Sequence, residues 1–439
     1  MNNDFQLKID GWLGAGIDDV EARTVTRLRI SIFDHLITRN ISKRGGGASE
    51  TINTSLLPLA EFIANGWWAL LYEPIRPNIS DAFRVRHRLD SGMRGYAFPA
   101  LALWSGGDDT IVADWATFNN PYATISFTTS APDEPVQLTR NEVELCLMDL
   151  VETVIERLGS SSGNLLEAWN RVRHSIADLD ELSYCIAAGH LGLDPYDPDS
   201  PDLSVLTAGI SKTLFNDISE IVEVPNLADT SSWLKHADTR LKIFPETDLS
   251  YFGPPVQDNV GMPAWMAGQE AAELLRIHAG LPVGNPRNTV SDLLGSVISE
   301  DNELGKSGPE GISAIVQRFD STAQIGTVAR SARQRRFRAC AAAYLAWTSE
   351  QEQEHAATDA TTRKQQASRA FAAELLAPKQ ALLERASRIG FDDDDLLELA
   401  SEFICPYETV KWQAFRAGIP LRGIVIPPSQ RERVIIPNV

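Results

Sequence analysis

The residues able to do chemistry are scattered along the chain, and none of them forms a strong local constellation. Seven histidines, His35, His87, His174, His190, His236, His278 and His355, include no two that stand three or four residues apart. No pair can therefore share one helical face as zinc binding requires. Four cysteines, Cys146, Cys185, Cys340 and Cys405, contain no Cys-x-x-Cys pair, so neither a zinc ribbon nor a redox motif is written locally. There is no Gly-x-x-x-x-Gly-Lys-Ser/Thr loop to cradle phosphate and no Gly-x-Ser-x-Gly elbow; Gly45-Gly46-Gly47, beside Lys43 and Arg44, reads as a flexible loop with a solvated patch. Glu350, Glu352, Glu354 and His355 read as an exposed acidic loop. Asp392 to Asp395 open Leu396-Leu397-Glu398-Leu399-Ala400 and read as N-cap and helix-dipole partners rather than a calcium site.

Two helices give the scattered residues an order. The first is Arg335-Arg336-Phe337-Arg338-Ala339-Cys340-Ala341-Ala342-Ala343-Tyr344-Leu345-Ala346-Trp347. The second runs Gln365-Gln366-Ala367-Ser368-Arg369-Ala370-Phe371-Ala372-Ala373-Glu374-Leu375-Leu376-Ala377-Pro378. Short strands at Ile312 to Phe319 and Ile325 to Ala329 precede them. The ordered pair resembles the catalytic half of the ImmA/IrrE family of zincin-like metallopeptidases, over roughly residues 262–420.

That resemblance implies a helix of the form Arg-Phe-x-x-Ala-His-Glu-x-x-His, whose histidines bind one zinc while the Glu between them serves as general base. Aligned on Arg336-Phe337, the three functional positions fall on Ala341, Ala342 and Leu345; aligned on Ala339, they fall on Cys340, Ala341 and Tyr344. Neither register supplies the ligands. The third, acidic ligand comes in the family from just ahead of the Phe-Ala-Ala run. Here that stretch is Arg363-Lys364-Gln365-Gln366-Ala367, with no acid among them. Under the resemblance, Lys364 is expected to reach the vacated metal position and neutralise nearby carboxylates. A lone Cys340 in an alanine-rich helix reads as a small buried hydrophobe. The chain is thus expected to be a pseudo-peptidase without cofactor that binds a protein partner as a regulator or sensor, in a bacterial stress-response or phage-defence setting. Two alternatives stay open: an active zinc peptidase using Cys340 with His355 and a distant carboxylate, and a structural subunit of a larger assembly.

The 439 residues are long enough for two or three domains. Hydrophobic content of 43% with 23% charged residues is that of a globular protein, and no run of 18 apolar residues spans a bilayer. The first residues, Met1-Asn2-Asn3-Asp4-Phe5, lack a basic segment followed by an apolar core, so the expected compartment is the cytoplasm, with reduced cysteines. A net charge of −19 argues against broad electrostatic binding to nucleic acid. Locally, Arg330, Arg333, Arg335, Arg336 and Arg338 form a basic cluster; Arg333, Arg335 and Arg336 are candidates for contacts to an acidic partner.

The expected fold class is α+β. Residues 1–135 read as a mainly antiparallel β domain, with strands at Arg27 to Phe33, Phe83 to Leu89, and a hairpin from Leu101-Ala102-Leu103-Trp104 through Gly106 to Asp109 into Thr110 to Trp115. Tyr122 to Thr128 adds a further strand. Leu56 to Tyr72 reads as a helix with Trp67 and Trp68 covering the core, or alternatively offering a partner-binding edge. Residues 136–245 read as helical, starting at Thr139-Arg140-Asn141-Glu142, with helices at Asn164 to Ile176, Leu179 to His190 and Leu203 to Val222. The irregular stretch from Pro245 to Pro263 precedes the peptidase-like domain at 262–420, and 421–439 is a tail. Within that domain Asp394 to Phe403 and Pro406 to Ala417 have helix-turn-helix spacing, read as packing because only Lys411 and Arg416 are basic on the second helix.

Overall fold

The computed structural model describes residues 4–14, 19–76, 79–93, 95–117, 123–132, 134–203, 209–255, 262–284, 290–291, 293–295 and 297–425. The architecture is α+β, with antiparallel sheets toward the N-terminus and a helical C-terminal region. The chain divides into two compact units, residues 1–203 and 204–430. The helical stretch expected at 136–245 is split between them, because its first helices pack on the N-terminal strands.

In the first unit, β1 (Phe5–Trp12) and β2 (Val25–Ile32) pair antiparallel, and β3 (His35–Leu36) and β6 (Ile52–Ser55) both pair with β2. Leu28, Ile30 and Ile32 alternate inward along β2, which is how a half-buried strand declares itself. A small sheet joins β4 (Asn40–Ser42) to β5 (Ala48–Ser49) and β9 (Ile125–Phe127); Tyr122, expected to open this last strand, lies outside the described residues. The anticipated hairpin is β7 (Ala100–Gly107) and β8 (Thr110–Ala116), extended by β10 (Val136–Thr139). Its tight turn puts Gly107 at φ 89° and Asp108 at φ 30°, a region that glycine and aspartate tolerate best.

Helix α1 (Val20–Arg23) is a single turn, and α2 (Leu57–Tyr72) is the hub of this unit. It is apolar nearly all round and packs against β7, α4 (Arg140–Leu158), α5 (Gly163–Ala177) and α6 (Leu179–His190). Thr139 starts α4 with its Oγ1 donating to Glu142 Oε2 at 2.7 Å. One expected strand is wrong: Phe83 to Leu89 lies largely in helix α3 (Asp81–His87). Ser80 Oγ caps it by accepting from Phe83 N–H at 3.1 Å, and Asp81 and Arg84/Arg86 sit at the ends that suit the helix dipole. The alternating pattern was overridden because Phe83 and His87, four apart, are buried together as a stacked pair while Val85 is exposed.

The second unit is built on a sheet of order β11 (Thr247–Asp248), β14 (Thr322–Val328), β13 (Ile312–Arg318), β15 (Glu354–Thr358), with β12 (Glu303–Gly305) parallel to β14. Its helices are α7 (Lys212–Ser219), α8 (Leu227–Leu241), α9 (Ala264–His278), α10 (Ala332–Thr348), α11 (Arg363–Leu376), α12 (Lys379–Arg385), α13 (Asp393–Glu402) and α14 (Tyr407–Arg416). Helix α10 lies on β13, β14 and β15, and α11 packs between α10 and α9. At Gly268 of α9 an added Cβ would stand 2.1 Å from Ala367 O, so the close approach of these two backbones depends on glycine. The expected acidic loop after α10 is corrected in part: Glu354 and His355 belong to β15, and His355 is buried. Asp392 caps α13 through a reciprocal capping box with Asp395, as its sequence indicated.

Candidate functional site

Helix α10 begins under Ser331, whose Oγ accepts from Gln334 N–H, and is then fixed by its own arginines. Arg335 Nε donates to Glu303 Oε1 at 2.8 Å, and its guanidinium also pairs with Glu300 at 3.4 Å. Arg336 Nη1 donates to Ser291 Oγ at 3.1 Å, Arg338 to Val328 O, and Arg333 Nη2 to Ser401 Oγ at 2.7 Å. Arg335 and Arg336 are only 6% and 5% exposed. Their candidacy as partner contacts is therefore corrected: they clamp the start of α10 inside its own unit, and Arg333 is left half-buried.

The motif positions lie in the core. Cys340, Ala341, Ala342, Tyr344 and Leu345 are exposed by 0%, 3%, 0%, 8% and 0%. Burial pushes the Cys340 thiol up to about 12, against the opposing pull of Arg336 and Arg276, so at neutral pH it is a neutral thiol and a poor metal ligand. Where a metal and its water would need an open cavity, Tyr344 and Trp347 of α10 meet Phe371 of α11 at 5.2 and 6.1 Å, with Phe252 on the far side of Trp347 at 5.7 Å. Trp347 Nε1 is satisfied by Gly253 O at 2.9 Å.

Polar chemistry gathers instead at the outer edge of β15. His355 Nδ1 donates to Asp217 Oδ2 at 2.8 Å, and Asp217 Oδ2 also accepts from Ala356 N–H at 2.9 Å. Lys364 Nζ stands 3.2 Å from His355 Nε2 and 3.3 Å from Nδ1. The Asp217 carboxylate thus meets Nδ1, Gln353 Oε1 stands 3.3 Å from Nε2, and the Lys364 ammonium lies close to both ring nitrogens. Lys364 therefore does reach a charged neighbourhood, but it faces a histidine held by aspartate rather than a cluster of carboxylates. Among the described residues no serine, threonine or cysteine hydrogen-bonds His355. Gln365 is fully buried and spends its amide on the strand, as does Arg369 with its guanidinium.

Among the described residues no group of three or more His, Cys, Asp or Glu side chains is placed to hold a metal ion. His355 does meet the Asp217 carboxylate, but among the described residues Cys340 forms no three-membered metal-holding group with them, which the active-peptidase alternative needs.

Two further buried titratable clusters do structural duty. In the first unit, Glu73 accepts from Arg86 Nε at 2.8 Å and Arg86 Nη2 at 2.6 Å, with His87 Nε2 at 3.0 Å and His87 Nδ1 against Leu103 O at 2.7 Å. Burial alone would raise the Glu73 carboxyl, but the hydrogen bonds from His87 and Arg86 more than offset it and bring it down to about 2. In the second unit, Glu374 accepts from Gln413 Nε2 at 2.7 Å and from Lys379 N–H at 3.2 Å. Burial dominates there and raises Glu374 to about 7.

Trp67 and Trp68, the other candidates for partner binding, are 2% and 3% exposed. Trp67 packs edge-on against Trp169 at 5.1 Å, and Trp68 Nε1 donates to Tyr196 OH at 2.9 Å, so both belong to the core reading and not to an edge. Sequence reasoning missed Asp217 because its partner His355 is 138 residues away, and nothing local marks either as one of a pair. The chain matches no family model, no curated protein and no solved structure.

Proposed function

We propose that this chain is a catalytically silent relative of the ImmA/IrrE metallopeptidases that acts by binding another protein, as a regulator or sensor. The reading rests on the resemblance of two helices, joined here by their order: strands β13 and β14, the arginine-led α10, then α11 with Phe371-Ala372-Ala373-Glu374-Leu375-Leu376 and Pro378. The observation that carries it is the filling of the motif positions. Ala341, Ala342 and Leu345, or Cys340, Ala341 and Tyr344 in the other register, are packed in the core where two histidines and a general base would be needed to activate water. A bacterial stress-response or phage-defence setting follows from the same resemblance. Among the described residues no helix is long and apolar enough to cross a membrane.

Elemental analysis of the purified full chain, beside a Cys340→Ala control prepared identically, tests this directly. Metal near zero in both, with no cleavage of repressor-type proteins, is the expected result. About one zinc per chain, lost in the control, would overturn the silent reading in favour of a peptidase with an unrecognised ligand set.

A further inference from the structure

Helix α14 buries one face and exposes the other. Thr409, Val410, Gln413 and Ala414 are buried, where the helix packs on α11, α12 and α13. The outer face carries Glu408, Trp412, Phe415 and Arg416, all exposed, with Lys411 half-buried beside them. Trp412 and Phe415 are 36% and 49% exposed and meet edge-on at 5.9 Å. Two large rings side by side in water, with an arginine next to them, have the composition of the centre of a protein contact rather than that of a solvated helix face.

The charges around these rings are ordered along the helix. Glu408, its side chain 61% exposed, begins the stripe; Trp412 stands four residues on, and Arg416 four beyond that. By helix geometry the three lie within about 80° of one another over about 12 Å. Lys411 Nζ donates to Glu408 Oε1 at 2.9 Å and lies 5.9 Å from the Trp412 ring, while Arg416 extends over Trp265 of α9, 5.6 Å from its ring. The stripe therefore reads acid, ring, base, with Trp412 at its midpoint. Turned end for end it matches itself: Glu408 of one copy falls opposite Arg416 of another, and Trp412 opposite Trp412. A two-fold contact requires a self-complementary face of this kind. A nucleic-acid strand would run phosphates past Glu408 and past Asp393, which accepts from Tyr407 OH at the start of the helix. A partner of one sign suits only half of the stripe, whereas a second copy suits both halves.

We propose that α14 is a homodimer contact, in which two copies of this chain meet antiparallel about Trp412 with Glu408 and Arg416 paired across the two-fold axis. One helix of 10 residues on each side is smaller than a standard stable interface. Dimers therefore form at protein concentrations on the order of 10–100 µM rather than at nanomolar ones. This contact asks nothing of the motif positions in α10, so its loss would leave the metal analysis of the silent-peptidase reading untouched.

Sedimentation velocity of the full chain, at concentrations from about 1 to about 500 µM, tests this. The parent is expected to pass from monomer to dimer over that range. Trp412→Ala, Glu408→Arg and Arg416→Glu are each expected to weaken the dimer at least about ten-fold, with unchanged far-UV circular dichroism, because the two charge variants set like charges opposite one another across the axis. An equimolar mixture of Glu408→Arg and Arg416→Glu is expected to associate at least as tightly as the parent, since one stripe is then wholly basic and the other acidic. A parent that stays monomeric throughout overturns the proposal and leaves the face to a different protein. So does a dimer that Trp412→Ala and Glu408→Arg leave intact, or a mixture no more associated than either variant alone. If Arg416→Glu fails to fold, Trp412→Ala and Glu408→Arg, both at exposed positions, decide the matter in the same way.

Discussion

Single residues set the pH range over which this molecule is stable, and two buried acids pull in opposite directions. Glu374, held near 7 against an ordinary 4.5, contributes stability that is complete below pH 4.5 and drains away as the pH rises through 7. Glu73, held near 2, contributes stability that is complete above pH 4.5 and is lost as the pH falls through 2. Replacing Glu374 with Gln keeps an acceptor for Gln413 and Lys379 and removes the buried charge. Urea midpoints of E374Q and parent should therefore coincide near pH 5 and separate by pH 8, with the variant more stable by on the order of 2 kcal/mol. For Glu73→Gln the sign reverses: it leaves Arg86 and His87 facing a neutral group, and should cost about 3–5 kcal/mol at pH 7, read by the same denaturation. Restoring the family pattern as Ala341→His/Ala342→Glu/Leu345→His forces three polar groups into a packed core. The expected outcome is a lower melting temperature, no bound zinc in elemental analysis and no gain of hydrolysis.

Elements were more legible than sites, and the reason lies in how far each signal extends. The strand at 27–33, the hairpin through Asp108, the helix ending at Tyr72 and the Asp392 cap are local patterns of period, turn chemistry and capping, and each of them formed. Of the helix expected at Leu203 to Val222 a shorter one, Lys212–Ser219, forms, with Ser211 capping it, while 204–208 lie outside the described residues; two further failures at element level have local causes too. In 81–87 the cap at Ser80 and the buried Phe83/His87 pair outweigh alternation, and β15 is a short Glu-His-Ala-Ala-Thr stretch whose strand character comes only from pairing with β13. Of the Asp217–His355–Lys364 chain, His355 and Lys364 lie nine residues apart and were each singled out in the sequence, whereas Asp217 was not legible, because it stands 138 residues before His355. One side chain shows how strongly α11 holds that strand. Gln365→Leu strands a buried carbonyl at Ala356 and a buried N–H at Thr358, and should cost about 2–4 kcal/mol. Loss of protection at the Thr358 amide in hydrogen exchange, with α10 amides unchanged, would check it.

At the scale of the whole molecule the two cores share no member. One runs from Phe5 to Cys185 and the other from Leu249 to Ile419. Residues 1–203 and 204–439 expressed separately should each give native-like circular dichroism and a cooperative melt; failure of either half to melt cooperatively would show that its core is insufficient alone. Guanidinium bonds to main-chain carbonyls, such as those of Arg338 and Arg369 described above, carry a last consequence. Arg140 is bonded to Leu71 O, Arg276 to Glu374 O and Leu375 O, Arg318 to Trp347 O, Arg338 to Val328 O and Arg369 to Thr358 O, so these guanidinium groups are engaged with main-chain carbonyls. Dissolved ions screen exposed charges over a Debye length but hardly weaken short, part-buried bonds to neutral carbonyls. Mutual repulsion among 59 acidic side chains is what added sodium chloride relieves. The protein should therefore tolerate brine better than dilute buffer, a halotolerance that arises from where its guanidinium groups are anchored.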